Sequence, residues 1–164
     1  TGHLVLSTLH TNNAIGIIPR LIDMGVDPFL IPSTLVLAMA QRLSRRLCED
    51  SRTAVKVTGR AAELIEEELR TLPEGSRREL GDLRTAEIYE GKVSPTCPKG
   101  TRGRIGLFEV FQMTPELERI ILEGPSESKI AAEARRQGMA TMKQDGILKV
   151  RRGIIGIREL LEVV

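Results

Sequence analysis

Aromatic residues are almost absent from this chain of 164 residues, which contains three Phe, one Tyr and no Trp. The core must therefore be built from aliphatic side chains and Met. Proteins that bind single-stranded nucleic acid stack bases on aromatic side chains, so this class of function is disfavoured. The formal charge is only +2, with both signs mixed along the chain. We therefore expect no nucleic-acid partner.

Long apolar runs are also missing. A membrane-spanning helix needs about 20 consecutive apolar residues. The best run, residues 29–40, is interrupted by Pro32, Ser33 and Thr34. No secretory signal sequence is recognisable. The length allows one good domain core or two small ones.

A phosphate-binding loop of the form G-x-x-x-x-G-K-[ST] does not occur anywhere in the sequence. Such a loop holds nucleotide phosphates on its backbone N–H groups, with Lys and Ser or Thr completing the site. We expect that this chain does not hydrolyse ATP on its own.

The hydrophobic pattern of residues 1–48 predicts a strand followed by helices, an α/β arrangement. Leu4, Val5 and Leu6 indicate a buried strand. Asn12 or Asn13 can cap a helix that ends at Gly25. A second helix is predicted from Asp27 onwards, continued by apolar residues at helical spacing and closed by three arginines: Leu35, Val36, Met39, Leu43 and Leu47, with Arg42, Arg45 and Arg46.

Residues 49–164 predict a smaller, mostly helical α+β subdomain. Residues 49–58 read as a loop, residues 61–72 as a helix, and residues 84–90 and 105–111 as two strands that pair with each other. Helix caps are predicted at Thr114, Ser126 and Thr141, with stops at Gly124, Gly138 and Gly153 and a last helix over 156–164.

Polar side chains follow the predicted first strand in the string Thr1-Gly2-His3-Leu4-Val5-Leu6-Ser7-Thr8-Leu9-His10-Thr11-Asn12. In open α/β sheets, ligands bind where strands end. A lone His in a turn is more often a plain polar residue than part of a site. The complete string, however, closely resembles the His box of the secretion ATPase superfamily, the hexameric motors of type II secretion and type IV pilus biogenesis.

Further stretches are similar to this superfamily in the same order. They are residues 16–30, Gln41–Cys48, Gly103–Val110, Gly138–Met142 and Asp145-Gly146. Several ordered motifs are more specific than a single fingerprint. The resemblance implies that residues 1–48 complete a RecA-like ATPase core and residues 49–164 form its C-terminal subdomain. It also implies a longer parent ATPase that uses ATP and Mg²⁺, forms a homo-hexamer and works at the cytoplasmic side of the inner membrane with a platform protein.

The resemblance assigns nucleotide sensing to His10, which stands at the second His of the box. Thr8, Thr11 and Asn12 would orient it or bridge to an adjacent motif, and they are grouped with His10 as nucleotide-binding residues. His3 matches the first His and is ranked second, with a structural role at the start of the strand as the main alternative. General-base chemistry by either imidazole is not expected, because phosphoryl transfer depends mostly on positioning and charge stabilisation.

The two cysteines resemble remnants of a zinc site. Members of the superfamily commonly carry two C-x-x-C pairs, whereas this chain has Cys48-Glu49-Asp50-Ser51 and Cys97-Pro98-Lys99-Gly100. Structural zinc requires four ligands, so we expect no metal here and no cofactor in this chain. A Cys48–Cys97 disulfide is possible if the loops meet, but two free thiols are the expected state, because cytosolic thiols are normally reduced.

Other charged residues have plainer interpretations. Arg104 and Glu109 are expected to hold the second strand by a salt bridge or turn contact, with a subunit contact of Arg104 as the alternative. A basic patch of Lys143, Lys149, Arg151 and Arg152 is expected to be solvated, with docking to a platform protein or to anionic lipid as the alternative.

Two functions are consistent with the sequence. The first is the C-terminal portion of a motor ATPase for pilus assembly or type II secretion. The second is a non-enzymatic interaction module that binds the membrane platform or the ATPase ring. The cysteine remnants modestly favour an assembly or secretion motor over a retraction motor.

Overall fold

The computed structural model describes residues 2–78 and 87–164. Their helices and strands are mixed along the chain in the order α1 Ile17–Asp23, a 3₁₀ turn Pro28–Leu30, α2 Ile31–Thr34, β1 Leu37–Leu47, β2 Arg52–Lys56, α3 Arg60–Arg70, α4 Glu74–Arg78, β3 Glu87–Gly91, β4 Thr101–Gln112, α5 Pro115–Glu123, α6 Glu127–Arg136, α7 Met142–Arg151 and α8 Ile157–Leu161. The strands form two antiparallel pairs, β1 with β4 and β2 with β3. Among these described residues, no helix is long and apolar enough to cross a membrane. The chain is thus a mixed α/β protein with small sheets.

The predicted first strand is wrong for this structure. Residues 2–11 lie in neither helix nor strand, and Leu4, Val5 and Leu6 are 82%, 78% and 90% exposed. A strand needs a neighbour for its backbone hydrogen bonds, and none of the described residues pairs with this segment. The helix expected after it is present as α1, with Gly25 in the left-handed region at φ 88° just beyond its end.

The predicted second helix is also wrong beyond residue 34. The 3₁₀ turn uses Asp27 as its cap and begins at Pro28, and α2 follows it without a side-chain cap, but the chain then extends into β1. Leu35, Met39, Leu43 and Leu47 are four residues apart, a spacing that fits one face of a helix and also one face of a strand. Residues 37–47 form a strand and not a helix because they pair with β4 along nearly the whole length of β1. The three arginines therefore lie on β1 and not at the end of a helix.

The strand pairing in the second part of the chain differs from expectation. Residues 52–56, predicted as loop, form β2 and pair with β3. The strand predicted over 84–90 is described only from Glu87 onwards, and its first residues lie outside the described part. The strand predicted over 105–111 is confirmed as β4, but its partner is β1 and not β3. Residues 48–100 thus connect two strands that are direct neighbours.

The predicted helix signals are confirmed. Thr114, Ser126 and Thr141 each accept a hydrogen bond from a backbone N–H in the first turn of α5, α6 and α7. At Thr141 the bond is reciprocal, because the Gln144 side chain accepts from the Thr141 N–H at 3.0 Å. Gly124, Gly138 and Gly153 follow these helices with positive φ. Local capping chemistry therefore predicts the boundaries of α5, α6 and α7 correctly.

Two hydrophobic clusters meet at the inner face of the β1–β4 pair. One contains residues of α3, α7 and α8 and includes Leu107 of β4. The other contains residues of α1, α5 and α6 and includes Ala38 and Phe111 of the two strands. Ala40 of β1 packs against both clusters. The β1–β4 pair thus supports both halves of the core on one face and leaves the opposite face outward.

A buried carboxylate joins α5 to α6. Glu133, whose side chain is 2% exposed, accepts hydrogen bonds from the Arg136 guanidinium at 2.6 and 2.9 Å, from the Thr114 hydroxyl at 2.7 Å and from the Gln137 amide at 3.1 Å. These bonds favour the ionised form, Arg136 most strongly, and lower the pKa of Glu133 to about 2.

This lowered pKa predicts acid sensitivity. The ionised Glu133 stabilises the fold fully above its ordinary pKa of 4.5, and this contribution is lost as the pH falls to about 2. The shift corresponds to about 3 kcal/mol. Urea unfolding at a series of pH values should show this loss in the native chain and a flatter profile in Glu133→Gln. Equal profiles for both proteins would contradict the assignment.

Candidate functional site

The segment that carries the candidate site residues is an exposed arm. His3, Thr8, His10 and Asn12 are exposed, and Thr11 is half-buried. Neither imidazole has a hydrogen bond or ion pair to the described residues. Both rings are therefore available to a group outside this part of the chain.

The arm ends in a tight turn that fixes its direction. The Thr11 hydroxyl donates to the Asn13 carbonyl at 3.0 Å, and the Asn13 side-chain oxygen accepts from the Gly16 N–H at 2.8 Å. Asn and Asp side chains commonly close turns in this way. Of the two asparagines considered as caps, Asn13 thus makes the contact at the start of α1.

Glu109 connects this turn to the rest of the protein. Its carboxylate is buried and accepts from the Ala14 N–H and from the Met142 N–H, each at 3.0 Å. One side chain on β4 thus holds the residue after the turn and the start of α7. The expectation of a turn contact is met by Glu109 alone, since Arg104 lies on the opposite face of the strand.

A polar cleft of about 790 Å³ opens beside the same turn. Asn12 and Asn13 line one part of it, and the C-terminal residues Val163 and Val164 line another. Its cations are Arg42, Arg135 and Lys143. Lys143 forms an ion pair with Glu68 at 2.8 Å, whereas the two arginines have no ion pair within the described residues.

Three acidic side chains, Glu68, Glu109 and Glu162, line the same cleft, so its three cations are balanced and its formal charge favours no ion of one sign. Among the residues that the structure describes, no group of three or more His, Cys, Asp or Glu could hold a metal ion. Of the predicted site residues, only Asn12 lines this cleft. Arg135 was not anticipated, because an arginine in the last turn of α6 has no sequence signal beyond helix-end charge.

The predicted basic patch is largely paired. Lys149 forms an ion pair with Asp145 and donates to the Gly106 carbonyl at 2.9 Å. Asp145 also accepts from the Phe108 N–H at 2.9 Å, so these two residues dock α7 onto β4. Burial lowers the pKa of the Arg151 guanidinium. The expectation of a fully solvated basic face is therefore wrong for these side chains.

The two cysteines form a disulfide, and the expectation of free thiols is wrong in this structure. Cys48 and Cys97 are both buried and joined, with their Cα atoms 6.6 Å apart. The Cys48 N–H also donates to the Gly100 carbonyl at 3.2 Å, so the two loops meet in backbone as well as in side chain. Because β1 and β4 are paired, the residues that follow β1 and precede β4 are brought together at one end of the ladder.

Comparison with known proteins places the chain in a family. The family described as "Type II/IV secretion system protein" matches residues 1–162. The chain belongs to this family of secretion and pilus assembly proteins.

Individual relatives agree with this assignment. The chain is 38% identical to the type IV pilus assembly ATPase PilB of Acinetobacter baylyi, covering 99% of this chain and 27% of that protein. It is 40% identical to the type II secretion system protein E of Xanthomonas campestris pv. campestris, again over 99% of this chain and 27% of that protein. PilB of Thermus thermophilus is 37% identical over 98% of this chain and 17% of its own length. The chain thus spans about a quarter or less of the length of these relatives.

Proposed function

We propose that this chain is the C-terminal portion of a hexameric motor ATPase that drives pilus assembly or type II protein secretion. The observation that carries the proposal is the family match over residues 1–162 together with relatives named as pilus assembly ATPases. The parent would supply the phosphate loop, bind ATP and Mg²⁺, and act on the cytoplasmic side of the inner membrane with a platform protein. Residues 1–48 would complete its RecA-like core, and residues 49–164 would form the C-terminal subdomain.

His10 is the proposed nucleotide sensor within this motor. Its exposed imidazole can donate a hydrogen bond to a phosphate oxygen supplied from outside this segment. Thr8, Thr11 and Asn12 would orient the same region, and His3 would act in second rank. The turn at Asn13 and the Glu109 bridge would pass a displacement of the arm to α1 and α7. Such coupling requires two arrangements that ATP binds with different affinity.

This proposal predicts the effect of one substitution. In the parent ATPase, His10→Ala should lower ATP-dependent phosphate release about tenfold, since losing one hydrogen bond in the transition state costs about 1.4 kcal/mol. The melting temperature should stay unchanged, because the imidazole is exposed and has no hydrogen bond or ion pair with the described residues.

Ser7→Ala is a matched control in the same exposed arm and should release phosphate at the native rate. The 164-residue chain alone should release none. A His10→Ala protein as fast as the parent would contradict the sensor assignment. ATP hydrolysis by the 164-residue chain alone would contradict the proposal that the parent supplies the phosphate loop. An inactive parent would favour the alternative function, a non-enzymatic interaction module.

A further inference from the structure

Glu109 is a charged residue on the apolar inner face of the β1–β4 pair. It alternates with Leu107 and Phe111 along β4, lies opposite Ala40 of β1 and is only 6% exposed. Leu107 belongs to one hydrophobic cluster and Phe111 to the other. Burying a carboxylate costs free energy unless hydrogen bonds compensate it. The presence of Glu109 at this position is therefore explained by the groups it binds and not by packing.

Each oxygen of this carboxylate holds a different part of the chain. Oε2 accepts from the Ala14 N–H and Oε1 from the Met142 N–H, each at 3.0 Å. Ala14 comes two residues after the end of the His-box string, and Met142 is the first residue of α7. An amide side chain has a single acceptor oxygen and cannot accept in this way on both sides. Both contacts together require a carboxylate.

The bond to Ala14 links the exposed arm to the body of the protein. The turn that ends the arm closes on itself through hydrogen bonds within residues 11–17. Among the residues that the structure describes, no other hydrogen bond joins residues 2–16 to a residue beyond α1. Glu109 therefore fixes where this turn lies on the inner face, and with it the start of the arm.

His10 lies close to this attachment point along the chain. It precedes Ala14 by four residues, a length that spans at most about 14 Å when fully extended. The closed turn makes the connection shorter and stiffer than that limit. The imidazole has no hydrogen bond or ion pair with the described residues. Its position is therefore set through its backbone, which is held at Ala14.

We propose that Glu109 is a positioning residue for His10, which directs the imidazole by holding the Ala14 N–H. This inference rests on the proposed function, because it requires His10 to contact a nucleotide phosphate. Glu109 is buried and acts on turnover only through His10. The Met142 N–H keeps the carboxylate in place from the other side, at the start of a helix that Asp145 also docks onto β4.

A double-variant cycle in the parent ATPase tests this inference. Glu109→Gln keeps one acceptor oxygen and should lower kcat for phosphate release about fivefold with an unchanged KM for ATP, because a misplaced imidazole weakens a contact made in the transition state. In the His10→Ala background, the same substitution should lower kcat by less than about twofold, since the side chain that Glu109 positions is then absent.

Asp145→Asn is the matched control. Asp145 also joins α7 to β4, by accepting from the Phe108 N–H, and the variant makes the same carboxylate-to-amide change without a contact to the turn. It should lower the melting temperature and leave kcat at the parent value. Rates are compared at a temperature where thermal melts show every variant folded.

Glu109→Asp is a second variant for the case that Glu109→Gln does not fold. It keeps both acceptor oxygens, but its carboxylate lies one C–C bond, about 1.5 Å, closer to the strand. It should lower kcat in the parent and have little effect in the His10→Ala background.

Two results would overturn the positioning role and leave the sensor assignment intact. One is an equal loss of kcat from Glu109→Gln with and without His10, which is the behaviour of a purely structural residue. The other is a native kcat in the folded Glu109→Gln protein. A His10→Ala parent with native kcat would instead overturn the sensor assignment and this inference with it, so the single variant separates the two failures.

Discussion

Breaking the Cys48–Cys97 disulfide is expected to lower the free energy of unfolding by about 4 kcal/mol. The bond closes a loop with a sequence separation of 49 residues. Such a cross-link removes conformations from the unfolded chain, and the effect grows with loop length. Urea unfolding of the 164-residue chain with and without a thiol reductant measures this difference directly.

The double variant Cys48→Ala with Cys97→Ala is the control for this prediction. It should match the reduced native chain to within the cost of two small side chains and should not respond to reductant. Intact-mass analysis under denaturing conditions should show the oxidised chain two hydrogens lighter than the reduced one. Identical unfolding curves for the oxidised and reduced chains would show that the disulfide does not constrain residues 48–97.

Replacing Glu109 by Ala is expected to destabilise the chain by about 4 kcal/mol. Its carboxylate accepts from two backbone N–H groups, those of Ala14 and Met142. Hydrogen bonds to a charged group contribute about 1.5–3 kcal/mol each, and removal leaves two buried donors without an acceptor. Glu109→Gln should cost roughly half as much, because the amide keeps one acceptor oxygen. Chemical denaturation of the three proteins gives both values.

Glu90→Ala is a suitable comparison, since Glu90 is an exposed carboxylate on strand β3. That substitution should change the free energy of unfolding by less than about 0.5 kcal/mol. A Glu109→Ala protein as stable as Glu90→Ala would show that the bridge to Ala14 and Met142 contributes nothing. Hydrogen exchange at the Ala14 and Met142 amides localises the effect, because these two protons should exchange faster in the variant.

Helices α5, α6 and α7 were predictable because their ends are encoded locally. Thr114, Ser126 and Thr141 are capping residues followed within a few positions by the N–H groups they satisfy. The strands were less predictable. The apolar spacing in residues 35–47 satisfies a helix and a strand equally, and only the distant partner β4 decides between them.

The sequence predicts a candidate site from a motif, and that site stays a prediction, whereas the contacts around it have no local sequence signal. The His-box string names His10 from sequence similarity, yet nothing local indicates that Glu109 binds the backbone of Ala14. The opposition of Arg45 and Arg104 depends on the register of two strands far apart in the chain. The disulfide has the same origin, since Cys48 and Cys97 meet only after β1 and β4 have paired.

The long connection between β1 and β4 also bears on the order of folding. Neighbouring antiparallel strands are usually joined by a short turn, and their hydrogen bonds can form in order starting from that turn. Here residues 48–100 lie between the two strands. Closing so long a loop is entropically costly and slow. We expect local pairing of β2 with β3 and formation of α3 to shorten the effective loop first. The β1–β4 ladder would then form late, so substitutions along it should accelerate unfolding far more than they slow refolding.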